Sequence, residues 1–106
     1  AWNLFFDKYD FLITPTVAVQ PFEVGKNAPP GPDGKPNFQW SPYTATFNLT
    51  RHPAGTVPCG LSSQGLPVGL QIVAPCRGEA RLLAGARLME EILGLGAITP
   101  IDPRPE

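Results

Sequence analysis

Apolar residues recur along this chain in two rhythms, one suited to helices and one to strands. Trp2, Phe5 and Phe6 stand at helical spacing ahead of the charged pair Asp7-Lys8, which predicts the last turns of a helix over 1–8. A short unbroken apolar run, Phe11-Leu12-Ile13, is closed by Thr14-Pro15-Thr16. It predicts a strand over 10–16 that is buried on both faces. Two further strands are predicted over 54–60 and 66–74, joined by a Gly- and Ser-rich turn, with Val68, Leu70 and Ile72 on one face by the two-residue period. Pro58 has no amide hydrogen, so its position must be an edge, a bulge or a strand end. Lastly, Leu82, Ala86, Met89 and Leu93 form a stripe with Arg81, Arg87, Glu90 and Glu91 largely outside it. This predicts an amphipathic helix over 78–93, with Glu79 near its positive end and Gly94 as its stop.

Between these elements the pattern fades. Residues 17–40 form a long loop; from Val17 to Asn37 there are five prolines and three glycines, and weak order is expected over 27–35. A helix over 41–51 is predicted from Ser41 as cap and Pro42 at the first helical position, and it must stop before Pro53. The tail over 94–106 is expected to be extended or loose. Fourteen prolines and eleven glycines make up about a quarter of the 106 residues, near the level where irregular structure dominates. The apolar fraction of 42% is ordinary, so the expectation is a folded chain with long loops.

A net charge of −1 without a Lys/Arg cluster leaves nucleic acid or an anionic membrane little to hold. No apolar run approaches the roughly 20 residues that span a bilayer, and no basic-then-apolar leader opens the sequence. A cytoplasmic location is expected. A chain of this size builds only a marginal core. The doubly buried strand needs layers above and below that few elements here can supply. With the apolar opening Ala1 to Phe6 and no initiator methionine, the sequence is expected to be a piece of something longer.

One block carries more information than the rest: Asn48-Leu49-Thr50-Arg51-His52-Pro53-Ala54-Gly55-Thr56-Val57-Pro58-Cys59-Gly60, followed by Gly65-Leu66-Pro67-Val68-Gly69-Leu70-Gln71-Ile72-Val73. It resembles the carboxyl-terminal part of the amidase-signature family, and the resemblance extends to Tyr9–Thr16 upstream and to the helix 78–93 downstream. The resemblance implies an α/β fold, with 1–106 a C-terminal segment of one α/β/α layered amidase domain built on a mixed sheet. It implies hydrolysis of carboxamides to an acid and ammonia or an amine. A catalytic serine attacks the carbonyl, a cis-serine and a lysine relay the proton to the leaving group, and water then releases the acid. In the family those residues lie far towards the amino terminus, so no catalytic residue is assigned here and the segment alone is expected to be inactive. No cofactor or metal is expected. The partners implied are the remainder of the amidase domain and a small-molecule amide, and open sheet edges predict self-association of the isolated segment.

The chain's own nucleophiles and ligands read as structural. Ser62-Ser63 sits at a predicted hairpin tip, where turn geometry alone favours serine, and the exposed-looking Lys8, Lys26 and Lys35 are poor bases at neutral pH. His52, the only histidine, has no serine or carboxylate with a claim to be its neighbour. Cys59 and Cys76 are expected to lie roughly 30 Å apart at about 3.3 Å per strand residue, too far for a disulfide, and are read as free thiols. By the resemblance, the residues seven and three before Asn48 face substrate. Here these are Ser41 and Ala45, four apart and so on one helical face. Phe38 and Trp40 join them as candidate substrate-binding residues. The alternative is that Ser41 is only a cap and Trp40 and Tyr43 only pack the loop. Relatives acting on glutamine place an aspartate where this chain has Ser41, which lowers the odds of a glutamine substrate. Phe38, Trp40, Tyr43 and Phe47 favour an apolar or aryl acyl group. Arg51 stands where the family commonly has glycine, so the tight backbone there is not assumed. The rival reading is a non-catalytic binding or scaffold module derived from an amidase.

Overall fold

A computed structural model describes residues 2–95, and the predicted tail beyond Leu95 lies outside them. Six elements and one short turn follow in order: α1 (Trp2–Phe6), β1 (Leu12–Pro15), a 3-10 helix (Phe38–Trp40), α2 (Pro42–Thr50), β2 (Ala54–Leu61), β3 (Pro67–Val73) and α3 (Glu79–Leu93). The strands form one sheet in the order β1-β3-β2, with both pairings antiparallel. The sheet among the described residues is antiparallel throughout, with none of the parallel pairing that a mixed sheet requires.

The hairpin between β2 and β3 is closed by Ser62, whose amide donates to the Leu66 carbonyl at 2.7 Å while its hydroxyl accepts from the amides of Gln64 and Leu66. A bulge interrupts the pairing between Pro58 and Gly60 and leaves Cys59 without a partner in the ladder. The Cys59 thiol lies 3.5 Å from the Val68 carbonyl, one residue from the position opposite Pro67 that simple counting gives. Pro58 thus sits at both an edge and a bulge, where a missing amide hydrogen costs least.

The two-residue period assigns the sheet two faces. Gly55, Val57, Leu70 and Ile72 turn to α3, where Leu82, Ala74 and Ile72 form the core with Phe11, Ala86 and Met89 around it. Helix α3 runs from Gly78 to a stop at Gly94, whose backbone is left-handed at φ 60 and donates to the Glu90 carbonyl. It seats so closely that a Cβ on Gly85 would lie 2.6 Å from the Phe11 ring. Ala54, Thr56, Gln71 and Val73 face the other way, towards α2, and the Gln71 amide reaches the Tyr43 carbonyl at 3.4 Å.

Four local expectations are corrected. Strand β1 is not buried on both faces: it alternates half-buried and exposed positions, and Ile13 is 45% exposed. It is an edge strand, and α3 packs over β2 and β3 without covering Ile13. Ser41 precedes α2 but its side chain makes no capping bond, because the backbone at φ −121, ψ 49 comes straight out of the 3-10 helix; its carbonyl instead accepts from the Thr44 hydroxyl. Arg51 does keep the tight backbone, at φ 60 and ψ 26, despite its Cβ. Residues 27–35 carry their own hydrogen bonds: Gly31 donates to Lys35, Gly34 to Gly31, and Asn37 returns to Pro29, so that Ala28 is buried.

Candidate functional site

The 3-10 helix, α2 and the Ser41 that joins them hold the four residues singled out for substrate. The Ala45 amide donates to the Ser41 carbonyl at 3.3 Å, so the two lie one turn apart, Ser41 half-buried and Ala45 exposed. Trp40 is half-buried and meets Phe22 edge-on with ring centres 5.4 Å apart, and its carbonyl accepts from the Ala18 amide. Phe38 is 69% exposed. Ser41 and Ala45 therefore share a helical turn, whereas Phe38 and Trp40 stand apart from them on the preceding element.

Two clefts flank this segment. The first, of about 350 Å³, opens between α2 and the sheet and is lined by Thr44, Phe47, Asn48, His52, Thr56 and Gln71 among others. Thr44 and Asn48 belong to the same side of α2 as Ser41 and Ala45 by the three- and four-residue spacing. Gln71 is only 3% exposed, and its Nε2 donates to Thr14 Oγ1 at 2.9 Å and to the Tyr43 carbonyl. A glutamine buried in an otherwise apolar strand is the informative exception to burial by hydropathy. It ties three elements together: β1 through Thr14, β3 through its own backbone, and α2 through Tyr43.

His52 closes one end of that cleft. It is buried, its Nδ1 pairs with Thr50 Oγ1 at 3.0 Å, and its ring stacks on Phe6 at 5.2 Å and meets Trp2 at 6.5 Å. Its Nε2 is buried with no hydrogen-bond partner among the described residues. None of these neighbours is a serine or a carboxylate. The histidine is a packing residue of an aromatic cluster that also holds Phe47 against Trp2.

The second cleft, of about 340 Å³, lies beyond the 3-10 helix, between the loop after β1 and the tip of the β2–β3 hairpin. Trp40 lines it; Ser41, Ala45 and Phe38 line neither cleft. Sequence reasoning missed Thr56, Gln71 and Phe22 as cleft residues. The available signal was Gln71, a polar side chain flanked by Leu70 and Ile72 in a strand. Ser62 and Ser63 occupy the hairpin turn, and Cys59 and Cys76 are free, the first half-buried and the second exposed.

Residues 1–83 match the profile of the family described as Amidase. The chain belongs to the amidase family. An acylamidase of Rhodococcus erythropolis is 36% identical over 105 residues, covering 95% of this chain and 22% of that protein. A glutamyl-tRNA(Gln) amidotransferase subunit of Clostridium acetobutylicum is 35% identical over 86 residues, 81% of this chain and 17% of that protein. Among solved structures, a bacterial aryl acylamidase of the amidase signature enzymes superposes with a TM-score of 0.72 at 29% identity, covering 85% of this chain and 19% of the other. A 6-aminohexanoate cyclic dimer hydrolase complexed with substrate gives 0.64 at 33% identity, with coverages of 86% and 21%. This amidase-family chain thus spans about a fifth of the length of the relatives it matches. No helix among its described residues is long and apolar enough to cross a membrane.

Proposed function

We propose that the polypeptide carrying this segment hydrolyses carboxamide C–N bonds to an acid and ammonia or an amine, in the cytoplasm. The observation that carries the reading is the family match over residues 1–83, joined to a fold that superposes on two amide-hydrolysing enzymes. The segment supplies sheet strands and one wall of the substrate pocket, with Ser41 and Ala45 turned to substrate and Phe38 and Trp40 contributing from the preceding 3-10 helix. An uncharged Ser41 and the neighbouring aromatic rings favour an apolar or aryl acyl group over glutamine. The segment alone carries no turnover, since its serines have no basic hydrogen-bond partner among the described residues. Exposed Leu49, Leu61, Leu83 and Ile92 and the open edges of β1 and β2 support contact with the remainder of the amidase domain, or self-association when that is absent.

The test uses the intact polypeptide, a small amide and a bulky amide, with ammonia or amine release as readout. Ala45→Leu should lower kcat/KM for the bulky amide more than for the small one. Ser41→Asp should lower both, because a carboxylate facing an apolar group is desolvated without a partner, at a cost of roughly 2 kcal/mol or more. Stability should be untouched by Ser41→Asp, since the serine side chain caps nothing. An unchanged substrate ratio in Ala45→Leu together with unchanged kcat/KM in Ser41→Asp would remove this helix from the pocket, and absence of all turnover would favour the scaffold reading.

A further inference from the structure

Helix α2 stands off the sheet across the cleft of about 350 Å³, whereas α3 packs directly over β2 and β3. The carboxyl-terminal half of α2 has its own anchor, because Phe47 is 4% exposed and its ring lies 5.3 Å from that of Trp2. The amino-terminal half has none of that kind. Ser41 supplies no side-chain cap, and Tyr43 and Ala45 are both exposed. What spans the gap at this end is the hydrogen bond from Gln71 Nε2 to the Tyr43 carbonyl at 3.4 Å. Among the described residues it is the sole hydrogen bond between α2 and the sheet.

The side-chain nitrogen of Gln71 carries two protons, and both are engaged. One goes to Thr14 Oγ1 at 2.9 Å and the other to Tyr43. Thr14 stands directly opposite Gln71 in the pairing of β1 with β3, so the amide is fixed from the sheet side by the neighbouring strand. The Tyr43 carbonyl only accepts, and turning the amide over would set two acceptors against each other. The side chain is therefore a strut of fixed length and orientation, footed on the central strand, and it holds the helical turn between Ser41 and Ala45. We propose that Gln71 is a positioning residue for acyl-group size: by holding Tyr43 it sets the place of the Ser41–Ala45 wall. This rests on the reading of α2 as a wall of the substrate pocket. Gln71 acts on selectivity through Tyr43 and not by contact with substrate.

The test uses the intact polypeptide with a small and a bulky amide, and Ala45→Leu as reporter of where the wall stands. Its penalty is the factor by which it lowers the bulky-to-small ratio of kcat/KM, and with Gln71 intact this should be at least ~10-fold. Gln71→Met keeps the length of the side chain and removes both donors. Once α2 is released, Leu at position 45 can back away from substrate, so the penalty should shrink at least ~5-fold, the effect of one net hydrogen bond. Thr14→Val, which removes the acceptor on β1, should shrink it in the same direction, and Thr14→Ser, which keeps the hydroxyl, should leave it intact. The change should fall on KM, with kcat for the small amide within ~2-fold of wild type, because no reacting group is altered. Melting temperatures identify the folded variants. A purely structural glutamine would lower the melting temperature in Gln71→Met and Thr14→Val without moving the penalty, and that result overturns the proposal. If Gln71→Met does not fold, equal penalties in Thr14→Val and Thr14→Ser overturn it. Turnover with an unmoved penalty leaves the amidase reading standing, absence of any Ala45→Leu penalty removes the pocket wall and the proposal together, and absence of turnover removes the amidase reading as well.

Discussion

Gly85→Ala sets two effects of opposite sign against each other. In a helix interior, replacing glycine by alanine is worth about 1 kcal/mol of added stability through backbone entropy. Here the new Cβ would lie 2.6 Å from Phe11 Cζ, 3.0 Å from Phe11 Cε1 and 3.1 Å from Ile72 Cδ1. Ile72 is fully buried and has nowhere to go, while the half-buried Phe11 ring can swing outward and lose part of its packing. Overfilling a packed core costs roughly 1–3 kcal/mol, so the clash should win and the variant lose about 1 kcal/mol net. Urea unfolding of the intact polypeptide followed by circular dichroism reads this as a lower midpoint at unchanged slope. Phe11→Leu supplies the control, since trimming the ring makes room. In that background Gly85→Ala should become neutral or stabilising, a coupling of about 1 kcal/mol. A gain of about 1 kcal/mol in both backgrounds would refute the close seat of α3 on the sheet.

Two more substitutions probe the same framework. Gly69→Ala would bring a Cβ to 2.7 Å from Thr56 Cγ2 and 2.8 Å from Thr16 Oγ1, so it should break the 3.2 Å Thr16–Thr56 hydrogen bond and lower the urea midpoint by an amount equivalent to about 1–3 kcal/mol. Wild-type stability in that variant would mean the threonines do not close over the glycine. Arg51→Val should destabilise by roughly 1–2 kcal/mol, because a β-branched residue tolerates φ 60 even less well than arginine does, whereas Arg51→Gly should melt at or above the wild-type temperature.

The helical stripe of α3 was legible because its spacing is regular and its stop is chemical: Leu82 is 7% exposed, and Gly94 takes the left-handed backbone its lack of a Cβ permits. The placing of Ser41 and Ala45 on one turn followed from their spacing alone. Strand β1 misled because an unbroken apolar run states hydrophobicity without stating which side has a neighbour. Register was hidden for a different reason. The bulge at Cys59 inserts one residue into β2, so counting from the turn fails beyond it, and the pairing of Thr56 with Gln71 that lines the α2 cleft cannot be read without knowing the bulge. The loop over 27–35 looked weak because its hydrogen bonds run between residues that no periodicity connects.

The central strand β3 is reached from two very different distances along the chain. Cys59 meets Val68 across nine positions, whereas Thr14 meets Gln71 across 57. Local pairing closes fast and distant pairing waits, so the hairpin should serve as the template on which β1 docks. The stretch between them is the cheapest part of the chain to vary. Each doubling of a flexible loop adds only about 0.6 kcal/mol to its closure, so insertions between Thr16 and Phe38 weaken the finished sheet little. An insertion there should leave the strands on either side in their register.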